Sequence, residues 1–309
     1  MPEQKWAAAT IGEALADAIG PLERAGVEHP VREARALWAA ASGGGLTPGN
    51  VWLERQRPAA LAVWHRFQEA VERRVNGVPF AYAVGRTSFR SLELKCDPRA
   101  LIPRPETEGL VELVLKYEVR DSGLGAGNNS AERRGVVADI GTGCGCIALS
   151  LAVEGCFERV VAVERSVEAA ALARENVASV RPRVPVEVRI GDWLAPLAGQ
   201  RYRAIVSNPP YLTEAEYASL DPAVRLFEPR EALVSGATGL DATAALLAGG
   251  RRFLEPGGLV ALEIDERRAD AVRALAARHG WTAVSVHHDL FGRPRYMLAC
   301  LEEREGERA

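Results

Sequence analysis

The sequence lacks any run of the roughly 18 uncharged apolar residues a bilayer span requires. Its first stretch, MPEQKWAAATIGEALADAIG, carries acids where a signal peptide would be basic and then apolar. A cytoplasmic protein without membrane association is expected. Neither sign of charge is in excess, with 38 Lys and Arg against 41 Asp and Glu and a formal net charge of -3. No global positive field is available to attract nucleic acid or an anionic membrane, although Arg181, Arg183, Arg201 and Arg203 could make a local patch. Cysteine is scarce and unpatterned: Cys96, Cys144, Cys146, Cys156 and Cys300 are odd in number and have no CxxC spacing. That argues against a disulfide framework or a zinc site and for buried reduced thiols. Of the few histidines, His287 and His288 are adjacent on an expected strand and point to opposite faces, so no metal site is predicted.

What is present is ample apolar material, 48% of 309 residues, enough for one large domain and a smaller one. Residues 1–76 read as helical. IGEALADAIGPLERAGV, PVREARALWAAA and PAALAVWHRFQEAVERRV place apolar residues at three and four spacing, with SGGGLTPGN as a breaker between them. This segment holds as many acids as bases, so it is either a stabilising cap or a docking module for a macromolecular substrate, and not a basic arm. Residues 77–100 follow as a connecting hairpin, since TSFRSLELKCDP alternates apolar and polar residues. The segment ALIPRPETEGLVELVLKYEV then runs from a proline-punctuated loop into a helix that Thr107 could cap. DSGLGAGNNSAERRG reads as an exposed, mobile and dispensable connection.

From residue 136 onward the pattern alternates. VVADI, RVVAVE, VEVRI, RAIVS, LVALEI, TAVSVHH and RYMLAC are apolar strands, and CIALSLAVE, VEAAALARENVASV, DATAALLAGGRRFL and RRADAVRALAARHG are helices between them. Strands apolar on both faces, alternating with helices, predict an α/β fold: a mostly parallel, doubly wound Rossmann-like sheet over residues 101–309.

Ligands of such sheets bind beyond the carboxyl ends of the strands. VVADI leads into GTGCGC, where Gly141, Gly143 and Gly145 permit a tight turn and close backbone approach. Alone, that loop is as readily a plain turn as a nucleotide loop. Glu164, however, ends the second strand 23 positions after Gly141, where an acid can accept the hydroxyls of a ribose. After the third strand, Asp192 can accept from an adenine amino group and Trp193 can lie against the ring. The GxGxG spacing, with Cys146 where a pyrophosphate loop prefers glycine, favours S-adenosylmethionine over a dinucleotide.

The fourth strand delivers NPPY to the same rim. A methyl acceptor there must be a nitrogen held in line with the donor carbon. A planar NH2 group suits the motif: Asn208 Oδ1 and the Pro209 carbonyl can accept its two N–H bonds, Pro209 and Pro210 stiffen the backbone, and Tyr211 can stack on its plane. The motif does not distinguish a base amine from a side-chain amide.

LIPRPETE, ADIGTGCGCIALSLA, GDW, IVSNPPY, FEPREAL, GLDA, LEPGGLVALEI and DLFGRPR, in this order across residues 79–300, resemble the release factor glutamine methyltransferase family. The resemblance implies a seven-stranded S-adenosylmethionine-dependent domain that methylates the side-chain N5 of the glutamine in a release factor's Gly-Gly-Gln loop. It also implies that the N-terminal helical domain docks that factor. Gly141, Thr142, Gly143, Cys144, Gly145, Glu164, Trp193 and Asn208 then become cofactor contacts, joining Asp192 from its place after the third strand, and Asn208, Pro209, Pro210 and Tyr211 the glutamine site. Phe89, Arg104, Glu106 and Glu228 are as readily further pocket residues as packing residues of their loops. A monomer that does not bind nucleic acid directly is expected. A related family acting on a ribosomal protein resembles PRSPI where this chain has PRPET, and an adenine-N6 methyltransferase of nucleic acid shares NPPY; both are alternatives. Two residues depart from the family pattern: Glu164 stands where aspartate is usual and Asp265 where glycine is.

Overall fold

The computed structural model describes residues 10–121 and 135–302. The expected connection at DSGLGAGNNSAERRG therefore lies almost wholly outside the described residues, as do the first nine residues. The chain divides into two compact units, Met1–Arg86 and Thr87–Ala309.

The first unit is helical: α1 (Ile11–Arg24), α2 (Pro30–Ala41), α3 (Pro48–Leu53), α4 (Leu61–Val75) and α5 (Phe80–Val84). Thr10 starts α1 with a capping box, its hydroxyl accepting from Glu13 N at 3.2 Å while Glu13 Oε2 accepts from Thr10 N at 2.7 Å. Leu22, Leu37, Val51 and Phe67 are fully enclosed, and Trp38 meets Phe67 edge-on with centroids 5.1 Å apart. The expected breaker SGGGLTPGN is only partly one. Its last three residues begin α3, because Thr47 caps Asn50 N at 3.2 Å and Pro48 occupies the first turn, where its missing N–H costs nothing.

A two-stranded hairpin, β1 (Arg86–Phe89) and β2 (Leu92–Lys95), begins on the last residue of the first unit and leads into α6 (Pro105–Asp121) of the second. Seven strands then form one sheet: β3 (Val136–Ile140), β4 (Arg159–Glu164), β5 (Val186–Ile190), β6 (Tyr202–Ser207), β7 (Leu254–Glu263), β8 (Ala283–His288) and β9 (Pro294–Cys300). Their order is β5-β4-β3-β6-β7-β9-β8, with β3 to β7 parallel and β9 antiparallel to both of its neighbours.

Successive strand residues serve opposite faces, so each strand stitches two cores. Val137, Val160, Ala204 and Leu259 pack with α6, α7 (Cys146–Glu154) and α8 (Val167–Val180). Ala138, Val161, Ile205 and Val260 pack with α11 (Asp241–Gly250) and α12 (Ala269–Arg278). Two short helices, α9 (Glu214–Ala218) and α10 (Pro222–Phe227), precede α11. The strand order reverses between β3 and β6, which places a crevice at the carboxyl ends of β3, β4, β5 and β6.

Candidate active site

A cavity of about 710 Å³ opens at that switch point, lined by Gly141, Gly143, Glu164, Asp192, Trp193, Asn208, Pro209 and Pro210, among others. Four strands thus bring most of the expected positions together. The loop after β3 turns on three left-handed glycines, Gly141 at φ 71°, Gly143 at 56° and Gly145 at 89°. A Cβ at Gly141 would meet no protein atom within 4 Å, so the bare backbone faces open cavity. Beneath the loop, Asp139 is fully buried; its Oδ2 accepts from Thr142 Oγ1 at 2.5 Å and from Ala148 N, at the start of α7, at 3.1 Å. Burial pushes its carboxyl up to about 7, against those two bonds. Asn176 of α8, also fully buried, accepts from Lys95 N and donates to the carbonyls of Lys95 and Cys144, tying hairpin, helix and loop together.

Not every expected cofactor residue reaches the cavity. The Thr142 side chain is turned down onto Asp139, Cys144 is buried in the apolar core, and Gly145 packs under Leu149 and Ala173. Glu164 reaches it, but its carboxylate already serves backbone: Oε2 accepts from Gly143 N at 2.9 Å, and Oε1 from Arg165 N at 2.8 Å and Ser166 N at 3.0 Å. Asp192 is exposed, and Trp193 holds a left-handed φ of 45° that a side chain larger than glycine rarely adopts.

The wall at the end of β6 is built differently. Asn208 Nδ2 donates to Thr107 Oγ1 at 3.0 Å, and Thr107 Oγ1 donates to Glu263 Oε2 at 2.7 Å. Tyr211 Oη lies 3.5 Å from Glu263 Oε1. Thr107 and Glu263 are both buried. Thr107 lies inside α6 and does not cap it; its hydroxyl is spent on this relay. Tyr296 fixes the same turn by donating to the Glu106 carbonyl at 2.6 Å, and a side chain on Gly109 would collide with it. Desolvation raises the Glu263 carboxyl to about 7, opposed by the Thr107 bond, and raises the Tyr211 phenol.

Two family descriptions match the chain, "PrmC N-terminal domain" over residues 13–85 and "Methyltransferase small domain" over residues 127–236. The release factor glutamine methyltransferase of Moorella thermoacetica is 39% identical over 298 residues, covering 95% of this chain and 99% of that protein. That of Cereibacter sphaeroides is 37% identical, covering 94% and 98%. The chain belongs to the release factor glutamine methyltransferase family. It is thus a methyltransferase with a Rossmann-like domain. Among solved structures, a methyltransferase from Pyrococcus furiosus shares the fold at a TM-score of 0.50 with 19% identity, covering 75% of this chain and 99% of that one.

Both departures from the pattern of the release factor glutamine methyltransferases have a local account. The longer arm of Glu164 lets its carboxylate fold back onto Gly143 N. Asp265 sits at φ -69°, where no glycine is required, and accepts from Arg267 N at 2.8 Å to start a short 3-10 turn. Of the other residues carried over from the family, Phe89 is core. Arg104 pairs with buried Glu228 at 2.7 Å, and Glu228 also accepts from Ile102 N at 3.1 Å, so this pair braces two loops. The Glu106 side chain lies 3.7 Å from Arg293. The cysteine expectation holds only in part: Cys96 and Cys144 are buried, Cys156 is exposed, and all five are free. Among the described residues no helix is long and apolar enough to cross a membrane.

Proposed function

We propose that this chain methylates the side-chain amide of the glutamine in the Gly-Gly-Gln loop of a peptide chain release factor, using S-adenosylmethionine. The observation that carries this reading is the placement of Asn208 at the cavity rim, its amide nitrogen held by Thr107 so that Oδ1 remains to accept from the glutamine NH2. Pro209 and Pro210 stiffen the adjoining backbone, and the Pro209 carbonyl takes the second N–H. The cofactor fits the residues present: the bare Gly141 backbone faces the cavity, and apolar Ile140, Val163 and Ala242 line it beside Glu164. Bound there, S-adenosylmethionine supplies an electrophilic methyl group on a sulfonium.

Gly141, Gly143, Glu164, Asp192 and Trp193 bind and orient the donor. Because Glu164 already accepts three backbone bonds, about one of its four acceptor positions is left. Accepting both ribose hydroxyls therefore requires it to release a backbone partner, of which Gly143 N is the one in the loop. Asn208 and Pro209 draw electron density onto the amide nitrogen and aim it. No ionised base is required, since methylation itself makes the nitrogen acidic. Residues 1–76 form the docking domain, residues 77–100 the connection and residues 101–309 the catalytic domain. The enzyme acts as a monomer in the cytoplasm, on protein and not on nucleic acid.

The test is incubation with isotopically labelled S-adenosylmethionine and purified release factor, followed by fragment mass mapping. Label on the side-chain amide of the Gly-Gly-Gln glutamine is expected. Label elsewhere, in a ribosomal protein or nucleic acid instead, or none at all overturns the reading.

A further inference from the structure

The acceptor side contains two buried polar side chains that a binding pocket does not itself need. Glu263 ends β7 on the α6 face, among the apolar residues of that core, and Thr107 lies in the first turn of α6. A carboxylate and a hydroxyl without exposure are costly unless each bond they make is used. We infer that Thr107 and Glu263 are positioning residues that fix which way the Asn208 carboxamide faces. The inference rests on the reading of Asn208 as the site for the glutamine amide.

Hydrogen-bond direction decides which arm of the Asn208 carboxamide faces the cavity. An amide has two arms of nearly equal shape, one a donor and one an acceptor, and only the acceptor arm can meet an incoming NH2. Thr107 Oγ1 has a single proton. Above about pH 7, where its raised carboxyl is ionised, Glu263 can only accept, so at 2.7 Å it takes that proton and leaves Thr107 Oγ1 as an acceptor. Asn208 can then satisfy Thr107 only with Nδ2, as found at 3.0 Å, which directs Oδ1 to the opposite side. Tyr211 Oη, 3.5 Å from the other carboxylate oxygen, reinforces the acceptor character of Glu263 and couples the NPPY ring to the same relay. Were Glu263 replaced by a group able to donate, the Thr107 proton would be free to turn to Asn208 Oδ1. The carboxamide would then present a donor to a donor.

Steady-state kinetics on intact release factor at about pH 8.5, where Glu263 is ionised, with donor affinity measured by calorimetry, test this. Thr107→Val, which keeps the shape and removes the hydroxyl, should lower kcat on the order of 10²-fold, the scale of a misaimed reacting group. KM and donor affinity should stay within roughly threefold, since the interaction lost acts on the transition state. Thr107→Ser, which restores the hydroxyl, should recover most of kcat. Glu263→Gln, near-isosteric but able to donate, should lose kcat comparably to Thr107→Val. In an Asn208→Ala background, Thr107→Val should cost nothing further, because it acts through Asn208.

Wild-type kcat in Thr107→Val or Glu263→Gln, an equal loss in Thr107→Ser and Thr107→Val, or a full additional loss in the Asn208→Ala background overturns the inference. Wild-type enzyme is the control that separates the two claims. If it does not methylate the glutamine, the functional reading fails; if it does and Thr107→Val matches it, only the positioning role fails.

Discussion

The two walls of the site are made of different material. On the wall proposed to hold the donor, the loop after β3 offers backbone, and Glu164 binds backbone within two residues of itself and across one strand crossover. On the wall proposed to aim the acceptor, Asn208, Thr107 and Glu263 are side chains brought together from the end of β6, α6 and β7, in bonds spanning 101 and 156 residues. A donor of fixed chemistry can be held by a fixed backbone shape. An acceptor amide must be aimed, and aiming requires a carboxamide whose two arms are told apart by buried partners.

The comparison predicts that the walls fail in different ways. Asn208→Ala should cause the largest loss, lowering turnover at saturating donor by roughly 10² to 10³, as when one transition-state hydrogen-bonding group is removed. Single-turnover rates check this, and a wild-type rate would show that the acceptor is aimed by something else.

The buried acids give a second contrast, in stability. Glu263 is raised from 4.5 to about 7, so the folded protein holds its proton more tightly than the unfolded chain. Its favourable contribution is complete below about pH 4.5, declines as pH rises and is lost above about pH 7. At about 1.4 kcal/mol per pH unit, this amounts to about 3 kcal/mol. Asp139, raised to about 7 under the donor loop, acts in the same direction. Urea unfolding at pH 5 and pH 8.5 should therefore show the protein weaker at the higher pH, with the difference reduced in Glu263→Gln. An unchanged difference in that variant would mean Glu263 does not bear the cost.

The smallest expected effect is on the donor wall itself. Glu164→Ala should weaken S-adenosylmethionine binding by about 1.5 to 3 kcal/mol, the range for hydrogen bonds to a charged group. Calorimetry that finds unchanged affinity would assign Glu164 only to bracing the loop through Gly143 N.

The same contrast explains what the sequence made legible. The donor wall is local: VVADI, GTGCGC and the acid ending RVVAVE are contiguous segments whose strand–loop–helix order fixes their place, and the strands lie close to where alternation puts them. Local pattern does not tell which loop residues face in and which face down: Thr142, Cys144 and Gly145 share the loop with Gly141 and Gly143, yet they pack against Asp139, the apolar core and α8. Between the two readings open for Phe89, Arg104 and Glu228, pocket lining or loop packing, their contacts favour packing. The relay could not be read, because nothing near Thr107 announces a partner 156 residues away. A trace was nevertheless present. Asp139 and Glu263 are acids at the ends of otherwise apolar strands, and a charge in such a place needs a partner or a purpose.

Donor binding and acceptor aiming should be separable, and the most direct test is the Glu164→Ala, Asn208→Ala double variant. Its donor dissociation constant, by calorimetry, should equal that of Glu164→Ala, and its turnover at saturating donor should equal that of Asn208→Ala. If Asn208→Ala alone weakens donor binding as much as Glu164→Ala does, the walls are one structure and the claim is contradicted.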